Sequence, residues 1–467
     1  MLDRPQAFRP PAPTPRPELP GALGLFRTLR KNPLEAWTRA HFEEPIVSGG
    51  LPIGRVLLVS EPRVIRHVLL DNAGNYEKDW IQRRVLSAGL SNGLLTAEKE
   101  QWRIQRRTLL PIFARKTVAR FAPDVVRAAD ALVARWRAHG DGRILDVAAE
   151  IARLTLDVLA RTIFSDGLGR DPEAFRAAMA RYFDIIGRIE PFDVLGLPDF
   201  VPRPGRVRAR ATLRFFDAAI DAILAARRRQ LAEDPAGAPR DLLTLLLEAQ
   251  DPDTGHGLSE AEVRANVLTF ISAGHVTTAD AITWSLFLLS GSADWRERVA
   301  SEAERELDGP VEDFADRLTA TRAVIDEALR LYPPIAAISR AALGPDELGG
   351  HRVERGTMVV ISPYVLHRHR TLWERPDLFD PSRFLPGARE TIDRFAYLPF
   401  GVGPRMCIGS AFALQEATIV LATIVKNFAL TPAPGHRVWP VLRVTLRPAG
   451  GLPMVVEPRP AARRPAT

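Results

Sequence analysis

The chain's single cysteine lies in the run Phe400-Gly401-Val402-Gly403-Pro404-Arg405-Met406-Cys407-Ile408-Gly409, just ahead of a helical pattern from Ser410 to Phe428. Glycines on both sides let the backbone approach a flat ligand closely. A helix starting just after Cys407 aims its positive end and free N–H groups at the sulfur, which favours thiolate. A solitary thiolate of that kind suits a haem iron. A lone cysteine without such flanks is more often a small buried hydrophobe, and the flanking pattern is what decides against that reading.

Three further constellations have spacing that can do chemistry. Glu327 and Arg330 stand at i and i+3 in a helical pattern ending at Tyr332-Pro333-Pro334, so they can pair within the helix or jointly hold a third group; an exposed ion pair is the blander reading. Trp102 and Arg106 are one helical turn apart, so an indole N–H and a guanidinium can converge on a carboxylate, or the Trp can simply pack under a surface helix. Ala273-Gly274-His275-Val276-Thr277-Thr278 sits in the middle of a long apolar run. Glycine there costs about 1 kcal/mol relative to alanine, and a mid-helix threonine can bond back one turn, so the segment is either locally distorted or an ordinary buried helix with a packing glycine.

Phe-x-x-Gly-x-Arg-x-Cys-x-Gly, matched at every fixed position by Phe400 to Gly409, resembles the haem-binding signature of the cytochrome P450 family of haem-thiolate monooxygenases. The resemblance implies a haem b cofactor (iron protoporphyrin IX) with Cys407 as the axial metal ligand. It further implies Arg405 as a propionate partner, Phe400 as a ring beside the thiolate, and Gly409 and Ala273 as close backbone and side-chain contacts of the macrocycle. A cysteinate ligand donates electron density and favours O–O cleavage. Glu327-Ala328-Leu329-Arg330 resembles the family's Glu-x-x-Arg helix. Pro381-Ser382-Arg383-Phe384 resembles the segment whose arginine completes a buried Glu327–Arg330–Arg383 network behind the haem, assigned to folding and haem retention. By the same resemblance Arg340, Trp102 and Arg106 bind haem propionates.

The segment from Ala273 to Thr278 resembles the family's oxygen-activation motif, Ala-Gly-x-(Asp/Glu)-Thr-Thr. That implies Gly274 and Thr278 in a turn opened for dioxygen, and Thr277 as the hydroxyl that hydrogen-bonds dioxygen and passes protons. One position departs: Val276 stands where the family usually has a carboxylate, and it can neither carry nor relay a proton. Asp280 is one turn beyond Val276, and His275 is of a type that titrates near neutrality, so either can serve a rerouted relay. Otherwise water supplies the protons and Val276 packs against substrate.

The elements that must position these residues are mostly helical. Periodic apolar spacing predicts helices over Arg63–Leu70, Asp124–His139, Ile144–Phe164, Val207–Gln230 and Asp241–Gln250, and Ser259 with Glu262 forms a capping box ahead of a buried helix, Val267–Ser290. Strands are expected at Gly54–Val59, Thr357–Ile361 and Val441–Leu446. The fold class is therefore mainly α with a small β-rich region. By resemblance it is the cytochrome P450 fold, with haem between the long central helix and the cysteine loop.

The remaining features narrow the class. Seven of the first 20 residues are proline, which predicts an extended, poorly packed arm over residues 1–20. A single domain follows over residues 21–457, then a flexible tail at 458–467. One cysteine in 467 residues excludes a disulfide framework and Cys-rich metal clusters. The net charge of +7 comes from 63 basic and 56 acidic residues, with arginines far outnumbering the five lysines. Many are interleaved with acids, as in Arg296 to Glu306, so no nucleic-acid partner is expected. The Val267–Ser290 run carries His275, Asp280 and four threonines, which argues against a membrane span. No signal peptide is apparent, and the cytoplasm is the default location.

The reaction implied by the resemblance is insertion of one oxygen atom from dioxygen into a C–H or C=C bond of a hydrophobic small molecule: a fatty acid, terpenoid or alkyl-aromatic. Electrons would come from a separate donor, a ferredoxin, flavodoxin or reductase of acidic surface. Arg103, Arg107, Arg115 and Lys116 either form part of a basic face for that donor or are solvated bystanders. The implied pocket lining is apolar: Trp80–Leu90, Tyr182–Phe192, Phe270, Ile271, Ala273, Val276, Ile335–Ile338 and Gly451–Met454, with Arg83, Arg84 or Arg188 able to anchor a carboxylate. The missing acid at Val276 keeps a peroxide-driven oxygenase as the alternative within the enzyme class. A haem-based sensor or nucleic-acid-binding protein is the alternative outside it.

Overall fold

The capping pair read from the sequence opens the longest helix. Glu262 N–H donates to Ser259 Oγ at 3.4 Å, while Ser259 N–H and Oγ donate to Glu262 Oε2 at 3.0 and 2.8 Å. That helix runs Glu260–Ser290. A computed structural model of the chain describes residues 8–51, 54–80, 82–83, 92–165, 174–175, 177–178, 181 and 204–460. The chain divides into two compact units: Met1–Asp79 with Ala129–Ile151 and Thr277–Thr467, and Trp80–Ala128 with Ala152–Val276. Among the described residues the named strands all fall in the first unit. No helix among the described residues is long and apolar enough to cross a membrane.

In the first unit a mixed sheet takes the order Ile46–Leu51, Gly54–Val59, Met358–Ile361, Ile338–Ala342, Tyr76–Glu77. Gly54–Val59 pairs in parallel with Met358–Ile361, and the other pairings are antiparallel. Its buried face gathers Leu57, Val59, Ile65, Val359 and Ile361 together with Leu398 and Val402. The cysteine run is thus anchored in the sheet's core by its own Val402 and by Leu398 just ahead of it.

Two helices complete the frame around that run. Thr319–Leu331 has no side chain of its own capping its start, and Glu302 supplies the cap from Ala293–Glu306, accepting the Ala320 and Thr321 N–H groups at 2.7 and 2.8 Å. A carboxylate there also meets the positive helix end. The helix Ser410–Asn427 is buried along most of its length and packs against both of those helices. Trp284, far along the long helix, stacks on Tyr332 at 3.8 Å and donates its indole N–H to Leu446 O at 2.9 Å.

In the second unit a buried amide ladder ties three segments. Gln105, on the helix Lys99–Leu109, donates to Asn92 O at 2.9 Å and accepts from Asn266 Nδ2 at 3.1 Å, and Asn266 Oδ1 accepts the Leu94 N–H at 2.9 Å. A Cβ at Gly93 would collide with Ala265 O and Thr269 Oγ1, so the loop runs flush against the long helix.

Some elements depart from the sequence reading. Ile144 begins no helix: Arg143–Asp146 is a strand paired with Pro453–Val456, and the helix is Val147–Phe164. The expected helix at Arg63–Leu70 is α-helical only over Pro62–Arg66 and continues as a π-helical turn, His67–Asp71. The single strand expected at Val441–Leu446 is a hairpin of Pro440–Leu442 and Leu446–Pro448, folded where Arg443 N–H donates to Thr445 O. The described part of the proline-rich segment, from Phe8 on, is tied to the first unit. Phe8 packs edge-on to Phe287 at 6.0 Å, its carbonyl accepts the Phe379 N–H, and Pro11 O accepts the Tyr332 hydroxyl at 2.7 Å.

Candidate active site

Cys407 is exposed and free of any disulfide, which sets aside the buried-hydrophobe reading. Its N–H donates to Phe400 O at 2.9 Å, and Gly401 N–H donates to Leu398 O at 3.2 Å, so the run folds back on itself before Gly409 opens the helix Ser410–Asn427. Gly401 and Gly403 have φ of 69° and 76°, where a side chain would be strained. A Cβ on Gly403 would collide with Leu69 O of the π-helical turn. The run is held from outside as well as from within.

Glu327 and Arg330 are fully buried. Arg330 Nε and Nη2 donate to Glu327 Oε2 and Oε1 at 2.6 and 2.8 Å, and its remaining donors reach His367 O, Pro376 O and Leu378 O at 2.8, 2.7 and 3.0 Å. Asp380 N–H adds a further donor to Glu327 at 2.8 Å. Arg383 joins at ion-pair range, 3.8 Å from Glu327, and burial holds its pKa below the usual arginine range. The exposed-pair reading therefore gives way to a buried network that staples the segment from His367 to Asp380.

The other expected residues fall as follows. Phe400, Arg405 and Gly409 are half-buried in the cysteine run, and Arg340 is half-buried in the strand Ile338–Ala342, donating to Ser339 O at 2.8 Å. Trp102 and Arg106 are both half-buried on the helix Lys99–Leu109. Along the long helix Ala273 is exposed and Gly274, Val276 and Thr277 are half-exposed, while every residue from Thr278 to Leu289 is buried. A small-residue stripe open in the middle of a core helix is what a flat ligand requires. The helix is unbroken through Gly274, so its threonines do not interrupt it.

The two candidates for a rerouted relay separate. His275 is buried, its Nδ1 meets Thr155 Oγ1 at 2.9 Å, and burial pushes its pKa down to about 4. Desolvation, which residue type alone does not show, keeps it from titrating near neutrality. Asp280 is also buried, and burial raises its pKa to about 7 against the smaller opposing effects of Thr445 and Arg447. Its Oδ2 has no hydrogen-bond partner among the described residues. Val276, Asp280 and Trp284 follow one stripe at four-residue steps.

Of the expected basic face, Arg107 is committed elsewhere: its guanidinium pairs with Asp251 at 2.7 Å and with Asp253. Arg103 pairs with Glu100 on the surface, and Arg115 and Lys116 are exposed. Arg83 is exposed; Arg84, Arg188 and the stretch Tyr182–Phe192 lie outside the described residues. The sequence reading missed His367, Gln105 and Asn266. The run His367-Arg368-His369-Arg370 was the only signal for the first.

The donor set fits a haem. Within the first unit it offers one exposed thiol at the start of a buried helix, positive-φ glycines beside it, and half-buried Arg340 and Arg405 for two carboxylates; the second unit carries its own open stretch of small residues. The cytochrome P450 family model matches residues 10–453. The chain is 36% identical over 409 residues to cyclooctatin synthase of Streptomyces melanosporofaciens, covering 86% of each. It is 34% identical to cyclooctat-9-en-7-ol 5-monooxygenase of the same organism, over 94% of this chain and 93% of that one. Pentalenene oxygenase of Streptomyces avermitilis is 34% identical over 76% of this chain and 77% of its own. Among solved structures, a cytochrome P450DA heme domain superposes with a TM-score of 0.83 at 26% identity, covering 97% of this chain and 99% of that one. With its fold, its signature and its relatives in agreement, the chain belongs to the cytochrome P450 family and is a haem-dependent monooxygenase.

Proposed function

We propose that this enzyme inserts one oxygen atom into a C–H or C=C bond of a terpenoid, using haem b ligated by Cys407 and electrons from a separate acidic donor protein. The observation that carries the ligand assignment is the exposed Cys407, the only thiol in the chain, poised where the helix Ser410–Asn427 begins. What supports the substrate class is that two relatives are named for cyclooctat-9-en-7-ol and pentalenene, names that denote unsaturated carbon skeletons. The haem-thiolate centre supplies reductive activation of dioxygen. Arg405, Arg340, Trp102 and Arg106 hold the propionates by charge and hydrogen bonding.

Thr277 presents its hydroxyl from the open stripe and Asp280 holds a proton at the buried end of the same stretch. Asp280 replaces the carboxylate that Val276 lacks. Reduced protein with carbon monoxide is expected to show the red-shifted band of thiolate ligation, and Cys407→Ser to abolish it. Terpenoids are expected to shift the haem spin state where fatty acids do not. Asp280→Asn is expected to lower product formed per reducing equivalent, and unchanged coupling in that variant would sink the relay through Asp280. Product formed with hydrogen peroxide alone, at a rate matching the donor-driven reaction, would favour the peroxide-driven reading instead.

A further inference from the structure

The Cys407 run is joined to the buried Glu327–Arg330 pair by one side chain. His367 is fully buried. Its carbonyl accepts Arg330 Nη1 at 2.8 Å, and its ring Nε2 accepts the Leu398 N–H at 2.8 Å. Leu398 O in turn accepts the Gly401 N–H at 3.2 Å, and Phe400 O accepts the Cys407 N–H at 2.9 Å. Leu398 and Val402 are buried in the sheet's core on either side of this turn.

The ring itself is fixed. It lies 5.1 Å from the Tyr397 ring, and the Tyr397 hydroxyl is tied to Asp326 O at 2.7 Å on the helix Thr319–Leu331. A backbone N–H can only donate, so Nε2 is the acceptor and the ring proton sits on Nδ1, which has no hydrogen-bond partner among the described residues. Burial, with Arg330 and Arg368 close by, pushes the His367 pKa down to about 3, so the acceptor is never lost to protonation in working conditions.

We propose that His367 is a positioning residue for the thiolate: it transmits the fixed geometry of the Glu327–Arg330 network to the Cys407 run through the Leu398 N–H. This rests on the reading that Cys407 is the axial ligand. The network then does more than retain haem, because it sets the turn from which the sulfur is presented. A neutral acceptor is needed at this place, and glutamine, whose carbonyl reaches as far as Nε2, can replace the imidazole. Leucine fills the space and leaves the buried Leu398 N–H without an acceptor.

The test compares haem-loaded wild type, His367→Leu, His367→Gln and Trp136→Phe by the reduced carbon monoxide spectrum and by thermal unfolding. Trp136→Phe removes a bond to Glu150 elsewhere in the same unit and controls for lost stability. At equal haem content, His367→Leu is expected to lose at least half of the red-shifted band to the shorter-wavelength band of haem without thiolate. His367→Gln and Trp136→Phe are expected to keep it. A leucine variant with the wild-type share of the red-shifted band overturns the proposal, and so does a control that loses the band in step with it. Should the leucine variant not accumulate, His367→Asn, one methylene too short to reach, is expected to lose the band in part, and full retention overturns the proposal. Absence of the band in wild type is a different failure, that of the Cys407 assignment.

Discussion

Glu327 and Glu416 occupy the same unit, are equally inaccessible, and have opposite surroundings. Glu327 receives two guanidinium donors from Arg330, a backbone N–H from Asp380, and the charge of Arg383. Glu416, on the helix Ser410–Asn427, has no hydrogen-bond partner for either oxygen among the described residues, and burial pushes its pKa well above the usual carboxylate range. Asp280 lies between these extremes, with Thr445 on one side and an unpartnered oxygen on the other. Burial alone therefore does not say what a carboxyl group is for. With matched donors it is a structural charge; without them it is a neutral acid that holds a proton, which is the property a relay needs and a structural anchor does not.

The largest effect should come from breaking the satisfied region. Arg330→Ala leaves buried Glu327 with only the Asp380 N–H and Arg383 at 3.8 Å, and frees three backbone carbonyls, so a loss of about 3–5 kcal/mol is expected in denaturant titration of the haem-loaded protein. Replacing both Glu327 and Arg330 with leucine and methionine should cost less than Arg330→Ala alone, because the orphaned charge is gone. If the double variant is the worse of the two, the charges themselves matter more than their pairing.

Asp280 sharpens the comparison through pH. Its folded-state pKa is raised from 3.8 to about 7, so the folded chain binds this proton more tightly than the unfolded one. Its contribution to stability is full below about pH 4 and is lost as pH rises through about 7, up to about 4 kcal/mol in all. Asp280→Asn keeps the shape and removes the titration. The difference in unfolding free energy between variant and wild type should therefore grow in the variant's favour between pH 4 and 8. A difference that is flat over that range would show that the carboxyl is hydrated or paired.

Glu416→Gln should have its smallest effect at low pH, where the carboxyl is protonated in the folded and unfolded chain alike, and about 1 kcal/mol either way is expected there. Its advantage over wild type should grow as pH rises above about 4.5, where the carboxyl ionises in the unfolded chain but burial keeps it protonated in the folded one. A difference that stays flat from pH 4 to 8 would mean that Glu416 is hydrated or paired rather than held neutral by burial.

The frame that positions these groups was legible to the extent that its signals were local. Ser259 and Glu262 announced the long helix, the proline pair after Tyr332 announced the end of the Glu327 helix, and the glycines around Cys407 announced a close backbone approach. What escaped was set by distant partners. Four residues at Arg143–Asp146 carry too short an alternation to read as a strand, and their partner begins at Pro453. His275 and His367 have the same intrinsic pKa, yet both are driven far down by burial among neighbours from other segments. Nothing local marks Leu398 as the donor to His367.

The smallest expected effect lies at the surface, where two arginines of one helix differ as the buried acids do. Arg107 is locked to Asp251, a fully buried carboxylate, while Arg103 meets an exposed Glu100 at 3.1 Å. Exposed pairs of that kind are screened and pay side-chain entropy, so Arg103→Ala should change unfolding free energy by no more than about 0.5 kcal/mol. If Arg103 belongs to the docking face for an acidic electron donor, the same substitution should weaken donor binding at low ionic strength, and the deficit should vanish as salt rises above about 0.15 M, where the screening length falls to about 8 Å. A deficit that persists in high salt would mean that Arg103 makes a desolvated contact with the donor. No deficit at any salt would leave it a solvated bystander, and the docking charge would then rest with Arg115 and Lys116.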